Sequence, residues 1–393
     1  MADELQTGPP AGVKIFGRPG SAQAYAIRDF LQRSDVPFDW VELTSDEQAR
    51  KQAQVTGLRD NRLPVCVFAD GIRLECPTIR QITEKLGWFR NPSRSEYDLA
   101  IYGAGPAGLS AGVYGASEGL KTVLIERSAV GGQAGTSSKI ENYLGFPEGI
   151  SGADLAQRAR DQACRFGAEI LLLREGVRGE FLPGKGVGYL ADGTKIIARA
   201  TICATGVEYR RLNLPNADRL LGAGVYYGGG VSEAMLSSND HVFVVGGGNS
   251  AGQAAMYFSS YARKVSIVIR GNCLKQTLSN YLVDRIRTTP LIEVLPHTEV
   301  TALEGDQTLR AITLTNKETG RQQSVETRGL FLCLGGAPHT KWAAEVGIAR
   351  DEEGYLVTGP DLQQDSRYPE KWPLERVPYY LGLCSTICGS FPQ

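Results

Sequence analysis

The chain has 393 residues, 42 % of them hydrophobic, which predicts two or three domains with real hydrophobic cores. A net charge of −1 gives no electrostatic basis for binding nucleic acid or an anionic membrane. No apolar run approaches the roughly 18 residues that a membrane span needs, and the acidic, proline-containing N-terminus lacks the apolar core of a signal peptide. We therefore expect a cytoplasmic protein with no membrane partner and no nucleic-acid partner.

The N-terminal part is predicted to be a flexible tail over residues 1–11 and a small domain over residues 12–88. Apolar runs and helical stretches in that domain follow the order β-α-β, then β-β-α. This order resembles that of glutaredoxin and implies a thioredoxin-like fold. Glutaredoxins carry two cysteines just after the first strand, where this chain has Ser21 and Ala24, and Pro64 stands where they have a cis-proline. Without those sulfurs, the domain cannot exchange disulfides.

Eight cysteines occur in the chain, and no two of them have the C-x-x-C spacing of a redox dithiol. Several lie inside apolar runs that read as strands, where a reduced cysteine behaves as a small hydrophobe. Cys66 follows Pro64 closely, so it is either a lone reactive thiol or a buried strand residue. The three histidines are scattered, and no metal-ligand spacing is present, so no metal site is predicted.

A polar, proline-containing linker is predicted over residues 89–97, and the stretch on which the rest of the chain depends follows it. An apolar run leads into Gly103-Ala-Gly105-Pro-Ala-Gly108, then a helical segment, and then a second apolar run that ends at Glu126. In such a unit the first glycine permits a tight turn, the second lets a pyrophosphate approach the backbone, and the third lets the helix pack on the strand. The terminal acid accepts hydrogen bonds from a ribose. The pattern predicts a dinucleotide site at this turn, and an ordinary glycine-rich turn is the alternative interpretation.

The stretches GAGPAG, GGQ with a downstream ENYLG, and ATG together resemble the FAD domain of low-molecular-weight thioredoxin reductases. The resemblance implies an FAD domain over 98–215 and 336–380, with an NAD(P)H domain over 216–335 inserted into it. The FAD-binding residues that it implies are Gly103, Gly105, Gly108, Glu126, Gly132, Gln133, Asn142, Ala204, Thr205 and Gly206. The fold class is then α/β, with two Rossmann-like three-layer ββα nucleotide-binding domains after the thioredoxin-like one. A homodimer is also implied.

A second strand, glycine turn and helix begin at His241 and supply the second nucleotide site. The strand after that helix ends in a basic residue instead of an acid. A base there attracts the 2′-phosphate of NADPH, so NADPH is favoured over NADH, although an isolated surface arginine stays an alternative reading. The predicted NADPH-binding residues are Gly246, Gly248, Ser250, Ala251, Arg270 and Lys275.

Two departures from the thioredoxin reductase pattern limit what the resemblance implies. Gly228 and Val231 stand where those enzymes carry their C-x-x-C dithiol, so the flavin has no internal dithiol to reduce. The atypical tail over 381–393 lacks the family's Gly-Asp segment. Because the resemblance implies that this segment contacts the flavin, we expect FAD binding to be weakened. Cys384 and Cys388 in that tail are a remote alternative thiol pair.

Three interpretations of function remain open from the sequence. The first is an oxidoreductase that passes hydride from NADPH to FAD and on to a non-dithiol acceptor such as a quinone, another redox carrier, oxygen or a partner disulfide. The second is a nucleotide-binding or redox-sensing module whose glutaredoxin-like domain docks a protein partner. The third is an inactive, truncated reductase.

Overall fold

The computed structural model describes residues 12–229, 231–234, 237–345 and 347–364, and these residues form two compact units. Unit 1 comprises 12–88, 133–155 and 209–335, and unit 2 comprises 89–132, 156–208 and 336–364. Both contain mixed α/β structure, and parallel sheets form the core of their nucleotide-binding parts. The predicted α/β class is thereby confirmed. The detailed domain boundaries stay predictions.

The N-terminal part of unit 1 is a small four-stranded sheet with helices. Its elements are β1 Val13–Gly17, α1 Ala22–Arg33, β2 Phe38–Glu42, α2 Asp46–Ala53, β3 Val65–Val67, β4 Arg73–Glu75 and α3 Ile79–Lys85. The strand order is β2-β1-β3-β4, with β1 parallel to β2 and the other pairs antiparallel. The Leu63–Pro64 peptide bond is cis. The assignment of this domain to the glutaredoxin family stays a prediction.

Helix α2 is absent from the predicted order of elements. It begins after Ser45, whose hydroxyl accepts a hydrogen bond from the backbone N–H of Gln48 at 3.2 Å. Ala49 and Ala53 bury its short apolar side. A serine three residues before a glutamine is a helix-start signal, and it was available in the sequence.

A buried arginine anchors the start of the predicted linker within unit 2. The side chain of Arg174 donates hydrogen bonds to the carbonyl oxygen of Arg90 and to Oδ1 of Asn91, both at 2.9 Å. Its guanidinium lies 4.6 Å from the ring centre of Phe89 and also pairs with Asp192. Because Arg174 is 3 % exposed, this contact fixes the chain where it leaves the N-terminal domain.

Unit 2 is built on a six-stranded sheet. Its elements are β5 Glu96–Tyr102, α4 Pro106–Ser117, β6 Thr122–Glu126, α5 Gly152–Arg165 (from residue 156 on), β7 Glu169–Leu172, β8 Gly176–Leu182, β9 Lys185–Leu190 and β10 Lys195–Cys203. The strand order is β7-β6-β5-β10-β9-β8, with the first four strands parallel and β8 and β9 forming an antiparallel hairpin. The glycine turn after β5 therefore lies at the carboxyl edge of the parallel strands, where α/β folds bind ligands.

The second half of unit 1 begins after β11 Val207–Tyr209, the strand at which the chain passes from unit 2. It contains β12 Val225–Tyr227, α6 Val231–Ala234, β13 His241–Val245, α7 Asn249–Phe258, β14 Lys264–Val268, α8 Asn280–Thr288, β15 Ile292–Leu295, β16 Thr298–Gly305, β17 Leu309–Asn316, β18 Gln322–Glu326 and β19 Leu330–Leu332. A parallel sheet of order β12-β19-β13-β14-β15 packs on α7, where Phe331 of β19 contacts Phe258. Strands β16-β17-β18 form a separate antiparallel sheet.

The chain returns to unit 2 through β20 Gly336–Pro338, which pairs with β11, and α9 Lys341–Glu345. The predicted second part of the FAD domain is described only as far as residue 364, so most of it and the tail lie outside the described residues. Among the described helices, none combines the length and apolar character that a membrane crossing requires.

Candidate nucleotide-binding sites

The first glycine turn is the most tightly constrained backbone of unit 2. Gly103 has a φ of +107°, and a Cβ built on it would lie 2.2 Å from the carbonyl oxygen of Ala204. A Cβ on Gly108 would lie 1.9 Å from the carbonyl oxygen of Gly103. Both positions therefore require glycine for the fold itself, because strand, turn and helix approach at backbone distance.

Gly105 differs from Gly103 and Gly108 because no close contact or unusual φ in the folded chain requires glycine at this position. Its φ of −74° is ordinary, and a Cβ there would meet only Cα of Gly132, at 3.9 Å. Gly105 is also the N-cap of α4, so the unpaired amides of the first helical turn lie beside it. An open backbone surface beside the positive end of a helix suits an anionic group such as a pyrophosphate.

Glu126 ends β6 beside this turn and is 6 % exposed. Its Oε2 accepts a hydrogen bond from the N–H of Ala104 at 2.8 Å, and its Oε1 accepts one from the N–H of Ser128 at 2.8 Å. Oε1 also accepts a hydrogen bond from the hydroxyl of Ser128 at 3.3 Å, so Oε2 is the oxygen that keeps a lone pair for a further hydrogen bond. The acid is therefore fixed next to the turn and retains acceptor capacity for a ribose hydroxyl.

The remaining predicted flavin contacts in unit 2 surround the same turn. The N–H of Ala204 donates to the carbonyl oxygen of Tyr102 at 2.8 Å, so the residues after β10 extend beyond the end of β5. Thr205 Oγ1 donates to the carbonyl oxygen of His339 at 3.3 Å, and Gly206 has a φ of +62°. Gly132 lies against Gly105: a Cβ on Gly132 would lie 3.2 Å from Cα of Gly105.

Two predicted flavin residues belong to unit 1. The carbonyl oxygen of Gln133 accepts hydrogen bonds from the N–H of Thr136 at 3.2 Å and from its hydroxyl at 2.8 Å, which forms a short 3₁₀ turn over Ala134–Thr136. Asn142 is exposed in a loop. Their roles stay predictions.

The second glycine turn repeats the construction of the first. Gly246 has a φ of +141°, and a Cβ on it would lie 2.3 Å from the carbonyl oxygen of Cys333. Gly248 is the N-cap of α7, and a Cβ there would meet nothing within 4 Å. Ala251 is 1 % exposed, whereas Ser250 is exposed at the mouth of the turn. As in the first turn, close backbone packing requires the first glycine, here Gly246, whereas Gly248 leaves the backbone open for a ligand.

The predicted phosphate-binding bases follow β14. Arg270 lies two residues after the end of the strand, and Lys275 lies in a 3₁₀ turn over Leu274–Gln276. Both side chains are exposed. Basic groups after the second strand of such a unit are suited to a 2′-phosphate.

Aromatic side chains pack around Gly228, in the segment that is predicted to correspond to the dithiol segment of thioredoxin reductases. Gly228 has a φ of +86°, and a Cβ there would lie 2.7 Å from the hydroxyl oxygen of Tyr209. That hydroxyl is 3.2 Å from Oγ1 of Thr136, and the ring of Tyr209 is 6.4 Å from the ring of Tyr227. Burial raises the pKa of Tyr209, so it stays a neutral phenol. Val231 begins α6.

The other sulfur and hydroxyl candidates have local structural roles. Ser21 is the N-cap of α1 and accepts a hydrogen bond from the N–H of Ala24 at 3.2 Å. Cys66 is fully buried, and burial raises its pKa to about 12, which argues against a reactive thiol. Burial likewise raises the pKa of Cys333 to about 12. Cys384 and Cys388 lie outside the described residues. Over the part of the chain that is described, no His, Cys, Asp and Glu cluster suits a metal ion.

Residues 97–367 match the model of the pyridine nucleotide-disulphide oxidoreductase family. The chain belongs to this family. Its thioredoxin reductase members use FAD and NADPH. The chain is 32 % identical to a thioredoxin reductase of Mycolicibacterium smegmatis over 264 residues, which is 67 % of this chain and 83 % of the relative. It is 35 % identical to a thioredoxin reductase of Listeria innocua over 269 residues, or 68 % and 82 % of the two chains.

Solved structures of the same family superpose on the chain. The thioredoxin reductase of Lactococcus lactis gives a TM-score of 0.63 at 28 % identity, covering 67 % of this chain and 86 % of its own. That of T. acidophilum gives 0.63 at 29 % identity, covering 70 % and 86 %. The predicted kinship with flavin-dependent oxidoreductases of thioredoxin reductase type is confirmed.

Sequence reasoning missed Tyr209, whose hydroxyl fills the space beside Gly228. It lies well before the dithiol segment in sequence, and only folding brings the two together. Arg28 and Glu233 were also missed, because they form an ion pair over 205 residues of chain.

The two kinds of glycine in the first turn give a prediction. We expect Gly105→Val to fold with a thermal midpoint close to that of the parent chain and to lose FAD affinity by roughly tenfold or more, since the added side chain occupies the phosphate approach. Flavin content after purification and FAD titration measure this. Gly179→Val is the matched control, because a Cβ at Gly179 also meets nothing within 4 Å and lies on β8. Unchanged FAD affinity in Gly105→Val would place the flavin elsewhere.

Proposed function

We propose that this chain is a flavin-dependent oxidoreductase that takes hydride from NADPH onto bound FAD and delivers the electrons to an acceptor other than an internal dithiol. The observation that carries the proposal is the environment of Gly228. A left-handed φ and a tyrosine hydroxyl 2.7 Å from its would-be Cβ disfavour any side chain at this position. The structure around position 228 therefore favours glycine over the cysteine that a dithiol would need.

The residues present fit both nucleotide cofactors. Gly105 and the first turn of α4 would hold the FAD pyrophosphate, and Glu126 would hold its ribose. Gly248 and the first turn of α7 would hold the NADPH pyrophosphate, with Arg270 and Lys275 at the 2′-phosphate. When bound, the flavin supplies the hydride-accepting and electron-passing chemistry. The chain's own part is to bind and orient the two nucleotides, which does not require an acid or a base at the reacting atoms.

The other predicted properties belong to the same proposal. Residues 12–88 would be a glutaredoxin-like domain without redox chemistry, because Ser21 serves as a helix cap. Resemblance to thioredoxin reductases suggests a homodimer in the cytoplasm. The competing proposal is a nucleotide or redox sensor without turnover, with the N-terminal domain in contact with a protein.

An anaerobic titration with NADPH tests the proposed reaction. We expect the purified protein to show a flavin band at about 450 nm that bleaches on addition of NADPH, because hydride transfer reduces the ring. Reoxidation on adding a quinone or air would then identify a non-dithiol acceptor. A flavin band that NADPH does not bleach would favour the sensor, and a protein with no flavin band even after reconstitution with FAD would contradict both.

Restoring the dithiol is expected to fail. In Gly228→Cys/Val231→Cys we expect NADPH-dependent reduction of thioredoxin to stay near background and stability to fall by about 1–3 kcal/mol, because position 228 needs positive φ and Tyr209 blocks its Cβ. A thioredoxin assay and thermal unfolding measure the two effects. Gly271→Cys is the control, since a Cβ there meets only Oε1 of Gln276 at 3.8 Å.

The parent chain itself should reduce thioredoxin only at background rates. Robust turnover that is lost in Cys384→Ser/Cys388→Ser would assign the reaction to the tail instead, and robust turnover in Gly228→Cys/Val231→Cys would show that the segment tolerates a dithiol.

Cofactor choice should depend on Arg270. Each charge-assisted hydrogen bond to a 2′-phosphate is worth about 1.5–3 kcal/mol, so Arg270→Ala should weaken NADPH binding roughly tenfold or more and leave NADH nearly unchanged. Fluorescence or kinetic titration with both nucleotides measures this. Arg287→Ala, an exposed arginine on α8, is the matched control. An equal loss for both nucleotides would mean that Arg270 does not contact the phosphate.

A further inference from the structure

Helix α1 of the N-terminal domain packs against the second half of unit 1 through a buried ion pair. The Nη2 atom of Arg28 lies 2.9 Å from Oε1 and 3.1 Å from Oε2 of Glu233, and the two side chains are 5 % and 2 % exposed. The guanidinium also lies 4.2 Å from the ring centre of Trp40. Nε and Nη1 of Arg28 have no hydrogen-bond partner among the described residues, so Glu233 supplies its main compensation for burial.

Aromatic and backbone contacts extend this interface along α1. The ring of Tyr25 lies 5.1 Å from the ring of Tyr226, which in turn stacks on Phe331 of the unit's core at 5.2 Å. A Cβ on Gly222 would lie 2.9 Å from Cβ of Tyr25. Burial, followed by the carboxylates of Asp29 and Glu233, raises the pKa of Tyr25 well above its usual value. The interface therefore combines apolar packing with charge pairing, as protein interiors do.

The same interface continues before α1. A Cβ on Gly20, whose φ is +69°, would lie 2.6 Å from Cγ2 of Thr308. The Nη1 atom of Arg18 donates a hydrogen bond to Oε1 of Gln307 at 3.5 Å. Arg18 and Gly20 belong to the segment that in glutaredoxins carries the cysteines, here replaced by Ser21 and Ala24. The N-terminal domain thus presents its redox-inactive segment to the other half of unit 1.

The surface that α1 contacts belongs to the segment around Gly228 and Val231, the second segment in which this chain lacks the expected cysteines. Tyr226 lies two residues before Gly228, and Glu233 lies two residues after Val231. Helix α1 therefore contacts the chain on both sides of the positions where a thioredoxin reductase has its dithiol. The two segments that have lost their sulfurs are held together in one intramolecular interface.

We propose that the N-terminal domain is a permanently docked cap on the segment over residues 222–229 and 231–233, and not a mobile redox carrier. The Arg28–Glu233 pair fixes its position, and the cap denies external proteins access to that face. The docking is independent of flavin chemistry. Its consequence for the acceptor, which must reach the flavin without using this face, rests on the function proposed above.

Charge reversal tests the ion pair in the full chain. We expect Arg28→Glu and Glu233→Arg each to increase hydrogen exchange of α1 amides at least about tenfold, because each leaves two like charges buried together. The double variant should recover much of the protection. Arg59→Glu, an exposed charge reversal in the same domain, should leave exchange unchanged. Unchanged exchange in both single variants, or the same increase in Arg59→Glu, would overturn the role of the pair.

Cross-linking tests the docking without disturbing the ion pair. Arg18→Cys/Gln307→Cys, at the exposed edge of the interface, treated with a short bifunctional thiol reagent, should give the intramolecular linked peptide in high yield, equally with and without NADPH. Each single cysteine variant is the control for linkage through native thiols. Absence of the intramolecular product, or its loss when NADPH is added, would show a mobile domain. Neither experiment needs flavin reduction, so a failure of the proposed oxidoreductase activity would be seen separately.

Discussion

The approach of backbone to backbone at the turn between β5 and α4 is the constraint on which unit 2 depends. A Cβ on Gly108 would lie 1.9 Å from the carbonyl oxygen of Gly103, and one on Gly103 would lie 2.2 Å from that of Ala204. Only glycine is possible at such distances. The ends of β5 and β10 and the start of α4 therefore lie close together at the carboxyl edge of the sheet. Gly105, between them, keeps open backbone that the fold does not use. The geometry therefore separates the glycines that the fold requires from the one that it does not.

Unit 1 repeats that construction and adds a feature that the nucleotide turns do not need. Around Gly228, the hydroxyl of Tyr209 occupies the space that a side chain would take, and a left-handed φ disfavours any residue but glycine. On either side of this position, Tyr226 and Glu233 contact α1 of the N-terminal domain. The absence of cysteine at positions 228 and 231, the aromatic side chains around Gly228 and the contacts with α1 therefore occur in one region. A simple pair of cysteine substitutions would leave the other two features in place.

Buried charge has different roles in the two units. Arg174 fixes the segment after residue 88 to unit 2 through hydrogen bonds to Arg90 and Asn91, so this segment is not a free linker there. Arg28 fixes α1 within unit 1 through Glu233. Removing one partner of a buried pair leaves an uncompensated charge, which makes such contacts specific as well as costly to break. Each buried arginine therefore fixes a segment within its own unit.

The sequence by itself determined the family and the nucleotide-binding character of the chain, because strand, glycine turn, helix and terminal acid are local and their spacing has a direct steric meaning. It also showed that positions 228 and 231 are not cysteines, which predicts the absence of a dithiol there. It did not reveal α2, although Ser45 and Gln48 form a helix-start signal. Only the tertiary structure decided that close backbone packing requires glycine at position 103 but not at position 105. It also decided that Tyr209 contacts Gly228, and that Arg28 pairs with Glu233, 205 residues further along the chain. Those contacts join segments far apart in the chain, and no local pattern records which partner a buried charge or ring will find.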